Sequence, residues 1–466
     1  MPSRLTRHLV WTPTTRLETA GVHALSFVVH PPVPGAGVNE ALDIFVAPRD
    51  HAIYLLHVGA TVEHALMVQY LFAAFSLGGT QIQSEANRQK AVEWRKTIVE
   101  IAREEMGHLV TVENLLRLVG GPLMFDREDY PIPADLYPFP FELRPLTRQS
   151  LARYILAESP DDDTIEKLGL TKEMEEIRKT ANYGGSGGGP VNRVGVIYAA
   201  VQQLFTLPLD RRSPPGELTQ YVHSSDIQAG TLPFQARPDE WGLNYDDIKI
   251  ETASNRTEAL NAVQAIALQG EGSSIDNLQQ SHFGKFLDIY RQFPQDNSWI
   301  PARNVAANPT TDVKLEPEGR NVIRDREAAL WAGLANVRYR MLLASLMHAF
   351  ATEGPSDGEK RSPRGLLISW SFGEMYQLRC ISDILMTLPL AEGSKLFAGP
   401  PFEMPYTLAI PDREQDRWRL HRDLILASRQ YTASLQDLPS SHNAYLKALS
   451  ELDLKSLNQV QMLIGN

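Results

Sequence analysis

The feature that most constrains this chain is an apolar segment that carries an acidic side chain and a histidine at its centre. Apolar residues recur at helical spacing over residues 52–77, and a glycine pair follows, which predicts a buried helix that ends there. Glu63 and His64 lie in the middle of this helix. A charge at a core-facing position costs several kcal/mol unless it is paired or metal-bound. The fold therefore has to provide a partner for Glu63.

A second predicted helix, over residues 89–119, carries side chains that suit that role. Glu105 and His108 are three positions apart, so they stand one turn apart on the same helix face and can bind a common metal ion. Dimetal carboxylate bundles use this Glu-x-x-His element together with a lone Glu from another helix. The short, glycine-bearing loop between the two helices predicts antiparallel neighbours. The motif alone also arises by chance in helix-rich chains.

Two residues beside these candidates are expected to have lesser roles. Glu104 lies one position off the face that carries Glu105, so we expect it to be solvated. His64 is expected to be a packed, hydrogen-bonded histidine next to the site.

A further candidate pair, Glu271 and His282, is separated by a glycine- and serine-rich stretch. On one straight helix the two side chains would be roughly 16 Å apart. They can reach a common site only if the helix breaks after Gly270, with Ser281 capping a new helix that begins at His282. The alternative is a glutamate on a surface loop and a histidine at a helix start.

The rest of the chain is predicted to be mainly α, with long Pro/Gly-rich loops. Further helices are predicted over residues 148–158, 164–181, 192–207, 257–271, 324–352, 364–388, 414–436 and 440–463. The predicted organisation is an N-terminal arm over residues 1–50, a helical bundle with a metal site over 51–290, and a C-terminal helical domain over 291–466.

Composition excludes several classes of protein. The formal net charge of −11 argues against a dedicated nucleic-acid binder or a protein that docks on anionic membranes. The single cysteine, Cys380, excludes a disulfide framework within the chain and CxxC metal knuckles. We see no apolar run long enough to cross a bilayer and no secretion-type leader, so a cytoplasmic protein is expected.

Two other patterns carry little weight. Residues 184–188 match G-x-S-x-G, but the preceding stretch is helical and charged, whereas a nucleophile elbow needs a strand there. The surrounding loop, residues 182–193, is either a lid or a connector. His348 and Glu374, in the C-terminal helices, have no spacing that indicates a site.

The ordered set of motifs in the first half resembles a known family. The stretches GATVEHALMVQYLFAAFSL, EEMGHLVTVENLLRLVGG, ESP, QGEG and SHFGKF, and a late AGPPF, are similar to the ferritin-like family named for the iminophenyl-pyruvate dimer synthases of bisindole pigment pathways. The resemblance spans roughly residues 50–405. Those synthases are much longer chains, so it concerns one portion of them.

The resemblance implies a four-helix ferritin-like core and a set of metal ligands. The candidate ligands carried over by position are Glu63, Glu105, His108, Glu271 and His282. One ligand position is expected to be lost, because relatives tend to have a Glu where this chain has Val196. Leu268 and Gln279, three residues before Glu271 and His282, give no second Glu-x-x-His. A one-metal site and an asymmetric pair of ions both remain open.

Carboxylate and imidazole ligands with open positions suit iron, or alternatively manganese, at one or two ions per chain. The expected chemistry is activation of O₂ or peroxide and oxidation of a small amino-acid-derived metabolite, such as an imine, in secondary metabolism. Glu63, Tyr70, Glu158 and Tyr198 are the candidate catalytic residues, and Tyr154 is a further candidate to line the pocket.

Two alternatives stay open. One is a non-redox cyclase or condensing enzyme in which Glu63, Glu105 and His108 act as acid and base. The other is a ferritin-like module without catalytic activity. A homo-oligomer is possible in each case.

Overall fold

The fold is described by a computed structural model that covers most of the chain. The described residues are 47–132, 141–181, 193–206, 221–241, 248–271, 275–296, 298–315, 319–354, 362–404, 408–439 and 441–465. The predicted N-terminal arm, apart from its last residues, and the loop at 182–192 with its G-x-S-x-G match lie outside this part of the chain.

The first half of the described chain is built from helices. In chain order they are α1 Pro48–Ser76, α2 Glu85–Leu118, α3 Arg148–Ala157, α4 Asp162–Lys167, α5 Thr171–Thr180, α6 Val194–Phe205, α7 Pro238–Trp241, α8 Arg256–Glu271, α9 Ile275–Leu278 and α10 His282–Gln292. Short 3₁₀ turns occupy Ser224–Asp226 and Ala229–Phe234.

The second half is also helical. Its long helices are α11 Arg326–Ala351, α12 Pro363–Leu385, α13 Glu414–Gln436 and α14 Asn443–Gly465, preceded by a 3₁₀ turn at Val313–Leu315. Two short parallel strands, β1 Pro309–Thr310 and β2 Asn321–Val322, pair with Pro309 opposite Asn321. The helical expectation is met, with one correction: the helix predicted over 164–181 is two helices, because Gly169 adopts a left-handed φ of 69° between them.

Helix α1 is the centre of the first half and has almost no solvent-facing side. Buried residues occur on all of its faces from Val58 to Ser76, including Glu63 and His64. By length and composition it could cross a membrane, but 94% of its apolar window is buried inside the fold. It therefore packs as a core helix that is apolar all round.

The packing of the other helices on α1 creates the walls of the candidate site. The short connection after α1 folds α2 back along it, and α6 packs against both α1 and α8. Helix α10 packs against α3, α2 and α8. The carboxylates and histidines on these helices therefore point toward one shared interior.

The two halves share one hydrophobic core. Buried residues of α1, α2, α11 and α12 belong to the same apolar cluster, and a second cluster lies among the C-terminal helices. Tyr339 on α11 is hydrogen-bonded to His64 on α1. The predicted boundary near residue 290 stays a prediction.

Candidate metal centre

The first part of the site joins α1 and α2. Glu63 Oε2 lies 3.5 Å from His108 Nδ1, and Glu105 Oε2 lies 2.9 Å from the same nitrogen. All three side chains are buried, with Glu63 completely so. The structure thus brings together the three residues that the sequence analysis linked first.

The second histidine enters from α10. Ser281 accepts a hydrogen bond from the Gly284 amide, which caps the helix and places His282 at its first position. His282 Nδ1 lies 2.8 Å from Glu105 Oε1, so the donor atoms of Glu105, His108 and His282 fall within 4.8 Å of one another. The break before α10 is the one that the sequence analysis required for this histidine to reach the site.

Glu104 does not behave as expected. It is buried rather than solvated, with its carboxylate 2.8 Å from His282 Nε2 and 2.8 Å from Lys285 Nζ. The prediction was wrong because α10 packs on the side of α2 that Glu104 faces. The signal in the sequence for a nearby anion was the ammonium of Lys285, three residues from His282 on the same helix face.

Glu158 supplies a carboxylate that the ligand prediction did not include. It is the C-cap residue of α3, and its Oε2 lies 3.7 Å from His282 Nδ1. The hydroxyl of Tyr70 on α1 donates to the other oxygen. Glu158 was predicted to line the pocket as a catalytic residue, and the structure places it against the same interior as the candidate ligands.

Glu271 forms another wall of the candidate site. It is the last residue of α8 and lines a narrow cavity together with Glu63, Glu105, His108 and Glu158. Its carboxylate lies against the backbone of Gly195, whose amide donates to it. Helix α6 therefore contributes a gap and a backbone amide to the site, and Val196, where a ligand position was expected to be lost, is not among the residues that line the cavity.

The described residues around this cavity include four carboxylates and two imidazoles. Glu63, Glu105, Glu158, Glu271 and His108 line the cavity, and His282 joins the group through its contact with Glu105. Within the described part of the chain, Glu63 Oε2, Glu105 Oε1 and His282 Nδ1 are buried without an aligned hydrogen-bond partner. Buried polar atoms normally have aligned hydrogen bonds, so three ligand-type atoms that lack them at one point, two of which face each other at 2.8 Å, fit a cation site. The donor set, hard oxygens with two imidazoles, fits iron or manganese.

Burial and neighbouring charges shift the pKa values of this cluster in the metal-free protein. Burial, reinforced by Glu105, raises the pKa of Glu63 to about 8. Burial also raises the pKa of Glu271 to about 7. Burial alone would lower the pKa of His108, but Glu105 and Glu63 raise it to about 10. Protons thus take the place of a cation in neutralising the excess of carboxylates.

The second histidine is stabilised as a cation in the same way. Burial opposes its charge, yet Glu105 and Glu104 raise the pKa of His282 above its usual value. In return, His282 lowers the pKa of Glu105 below its usual value although burial acts in the other direction. Against the same effect of burial, His282 and Lys285 lower the pKa of Glu104 to about 2.

The predicted tyrosines contact the carboxylates to different extents. Tyr198 on α6 lines the cavity and donates a hydrogen bond to Glu63 Oε1. Tyr70 bonds to Glu158, and burial next to that carboxylate raises the pKa of Tyr70 well above its usual value. Tyr154 packs on Tyr70, with ring centroids 4.8 Å apart, and its hydroxyl points to the Gln69 carbonyl.

The C-terminal residues set aside earlier belong to separate clusters. His348 lies between His421 and Glu414, at 3.1 Å from each. Glu374 is bonded to Arg338 instead. The two residues do not share a site.

A comparison with known protein families agrees with this architecture. A family model described as Ferritin-like matches residues 56–291, just over half of the chain. The chain therefore belongs to the ferritin-like family, which confirms the resemblance and the mainly α fold. A crystal structure of a ferritin-like protein from Caulobacter vibrioides aligns over 72% of this chain and 96% of its own, with 16% identity and a TM-score of 0.40.

Two curated relatives extend the match to most of the chain. A dichlorochromopyrrolate synthase of Lentzea aerocolonigenes is 25% identical over 77% of this chain and 36% of its own length. A 2-imino-3-(indol-3-yl)propanoate dimerase of Chromobacterium violaceum is 24% identical over 75% of this chain and 33% of its own. The chain thus spans about a third of the length of the curated relatives it matches. Both relatives are named as enzymes.

Proposed function

We propose that this protein is a metal-dependent oxidative enzyme of secondary metabolism that acts on a small amino-acid-derived molecule. The observation that carries the proposal is a cluster of four carboxylates and two imidazoles at one narrow cavity, in which three buried ligand-type atoms have no aligned hydrogen-bond partner. Two ions per chain suit this number of ligands, and the proposed metal is iron, with manganese as the alternative. A cytoplasmic location is part of the proposal.

The substrate class follows from the relatives. One is named for the dimerisation of 2-imino-3-(indol-3-yl)propanoate and the other for the synthesis of dichlorochromopyrrolate. An imine or a related amino-acid derivative is therefore the substrate class that we propose. Since the chain spans about a third of these relatives, coupling of two such molecules is also a proposal.

The residues would divide the work as follows. Glu63, Glu105, Glu158, Glu271, His108 and His282 would hold the metal, which supplies activation of O₂ or peroxide when bound. Tyr198 holds Glu63 by a hydrogen bond and Tyr70 holds Glu158, so each tyrosine orients one carboxylate. The buried walls of α1 and α2 exclude water from the reacting groups.

Metal analysis of the purified protein tests the proposal. We expect iron or manganese at up to two ions per chain in the wild type, and loss of most of it in Glu105→Ala and His108→Ala. Glu113→Gln is the matched control, because Glu113 is a buried carboxylate on the same helix that bonds to the Met124 amide away from the cavity. A metal-free preparation with full activity would overturn the proposal.

A second candidate function rests on a different observation. The raised pKa values of Glu63, about 8, and Glu271, about 7, place two carboxyl groups close to neutrality, where general acid–base catalysis works best. A non-redox cyclase or condensing enzyme would use them without a metal. Activity under anaerobic conditions with a chelator present would favour this candidate over the oxidative one.

A further inference from the structure

Both histidines of the candidate metal centre have one ring nitrogen toward Glu105 and the other toward a residue outside the candidate ligand set. His282 turns Nδ1 toward Glu105 and its Nε2 lies 2.8 Å from Glu104 Oε2. His108 turns Nδ1 toward Glu105 and its Nε2 lies 3.2 Å from Gln269 Oε1. The two outer partners are therefore a carboxylate for one histidine and an amide for the other.

The outer partners determine which nitrogen is left for a cation. An ionised carboxylate only accepts hydrogen bonds, so the nitrogen of His282 that faces Glu104 must carry a proton. Gln269 Oε1 likewise accepts from the outer nitrogen of His108. When a cation displaces the inner proton, Nδ1 is the free donor on both rings.

Lys285 holds Glu104 in this outward position. Its ammonium lies 2.9 Å from Oε1 and 2.8 Å from Oε2 of that carboxylate. The side chain of Lys285 is 20% exposed, that of Glu104 is 10% exposed and that of His282 is fully buried. The three groups form a chain from the surface to the cavity, in which both oxygens of Glu104 are engaged and neither can turn inward.

We propose that Glu104, with Lys285, is the positioning residue that fixes the tautomer and orientation of His282 for metal binding. This inference rests on the proposed function, since it concerns the same centre. An outer carboxylate raises the basicity of a metal-bound imidazole more than an amide does. The two histidines are therefore unequal, and the ion bound through His282 is held more tightly than the ion bound through His108.

The test is a Mn²⁺ titration of the metal-free protein, with free Mn²⁺ followed by electron paramagnetic resonance. Glu104→Ala is expected to weaken the tighter of the two ions by about 10- to 100-fold. Glu104→Gln keeps an oxygen that accepts from Nε2 but loses the negative charge, so its affinity is expected to lie between those of the wild type and Glu104→Ala. Gln269→Ala is expected to weaken the other ion, and Glu113→Gln to change neither.

Thermal unfolding of each metal-free variant separates positioning from folding. If Glu104→Ala does not fold, Lys285→Met gives the second measurement. This substitution releases Glu104 without altering His282, and we expect it to weaken binding of the tighter ion several-fold. A folded Glu104→Ala protein that binds both ions as the wild type does would overturn this inference alone, as would a Glu104→Gln protein as weak as Glu104→Ala. A wild type that binds no Mn²⁺ and no Fe²⁺ would overturn the proposed function and this inference together.

Discussion

Gly195 is not a candidate ligand, but its backbone contacts Glu271, which is one. A substitution at Gly195 therefore tests whether Glu271 binds the metal. A Cβ atom added at Gly195 would lie 1.6 Å from Glu271 Oε1 and 2.3 Å from its carboxyl carbon. Ordinary van der Waals contact begins near 3.4 Å, so the carboxylate oxygen must withdraw by about 1.8 Å. Gly195→Ala therefore removes Glu271 from the cavity without altering any acidic or imidazole group.

The expected magnitudes have opposite signs for folding and for metal binding. The clashing atoms are the far end of a flexible side chain, so the backbone is expected to stay in place, and Ala in a helix is favoured over Gly by up to about 1 kcal/mol. Metal–ligand distances are held within about 0.2 Å, so a shift of this size breaks the contact. We expect metal-free Gly195→Ala to be at least as stable as the wild type, with Mn²⁺ binding weakened by about tenfold or more, or about 1.4 kcal/mol.

A double-mutant cycle identifies the cause. Mn²⁺ affinity is measured for the wild type, Gly195→Ala, Glu271→Ala and the double variant. If the glycine acts through the glutamate, its substitution has no further effect once Glu271 is gone. The control is Gly373→Ala, also within a helix, where a Cβ meets nothing within 4 Å among the described residues. Additive losses in the cycle, or a Gly195→Ala protein with wild-type affinity, would refute the reasoning.

Three further predictions concern the charge and packing of the same protein. In the metal-free state His108, with a pKa raised to about 10, and Glu63, with a pKa raised to about 8, carry protons at neutral pH that a cation must displace. Mn²⁺ binding should therefore tighten as the pH rises from about 6 to about 8, and it should release protons. Proton release makes the binding enthalpy measured by calorimetry depend on the ionisation enthalpy of the buffer. A binding enthalpy that is the same in all buffers would contradict this prediction. Tyr198→Phe removes the donor to Glu63 and is expected to destabilise the metal-free protein by about 1–3 kcal/mol in urea unfolding, whereas an unchanged stability would show that the bond contributes nothing. Arg338→Met leaves the buried carboxylates of Glu374 and Asp453 without their cation. We expect the free energy of unfolding to fall by about 3–5 kcal/mol, with unchanged metal stoichiometry in the folded protein. A loss of metal would show that these C-terminal residues support the candidate centre.

The parts of the site that sequence patterns predicted are those governed by one helix or by local capping. Glu63 stands out because a carboxylate in an apolar helix needs a partner, and Glu105 and His108 share a face through their spacing. The serine before His282 signals a new helix start by a short-range hydrogen bond. Each of these inferences depends on neighbours within a few residues, which is the range over which sequence spacing has geometric meaning.

The parts that were missed depend on which elements pack together. Glu104 was expected to be solvated, and only the position of α10 makes it a buried partner of His282. Glu158 was predicted as a pocket residue but not as a ligand, because it sits at a helix end, where no periodicity indicates the direction of its side chain. Glu271 can approach α6 only because Gly195 has no side chain. A pattern of residue types along the chain does not show which residue will occupy the space that a glycine leaves. These contacts are tertiary, so spacing along the chain does not encode them.

The placement of the ligands along their helices has a consequence for how the centre can respond. Glu63, Glu105 and His108 lie in the interior of helices of 29 and 34 residues that are locked into the core. Glu158, Glu271 and His282 instead stand at the cap, the last position and the first position of shorter helices. A small rotation of the backbone at a terminus moves a side chain without disturbing a packed helix. One wall of the candidate centre is thus held rigidly by the core, and if the centre binds a metal and a substrate as proposed, we expect the accompanying rearrangements at the other wall.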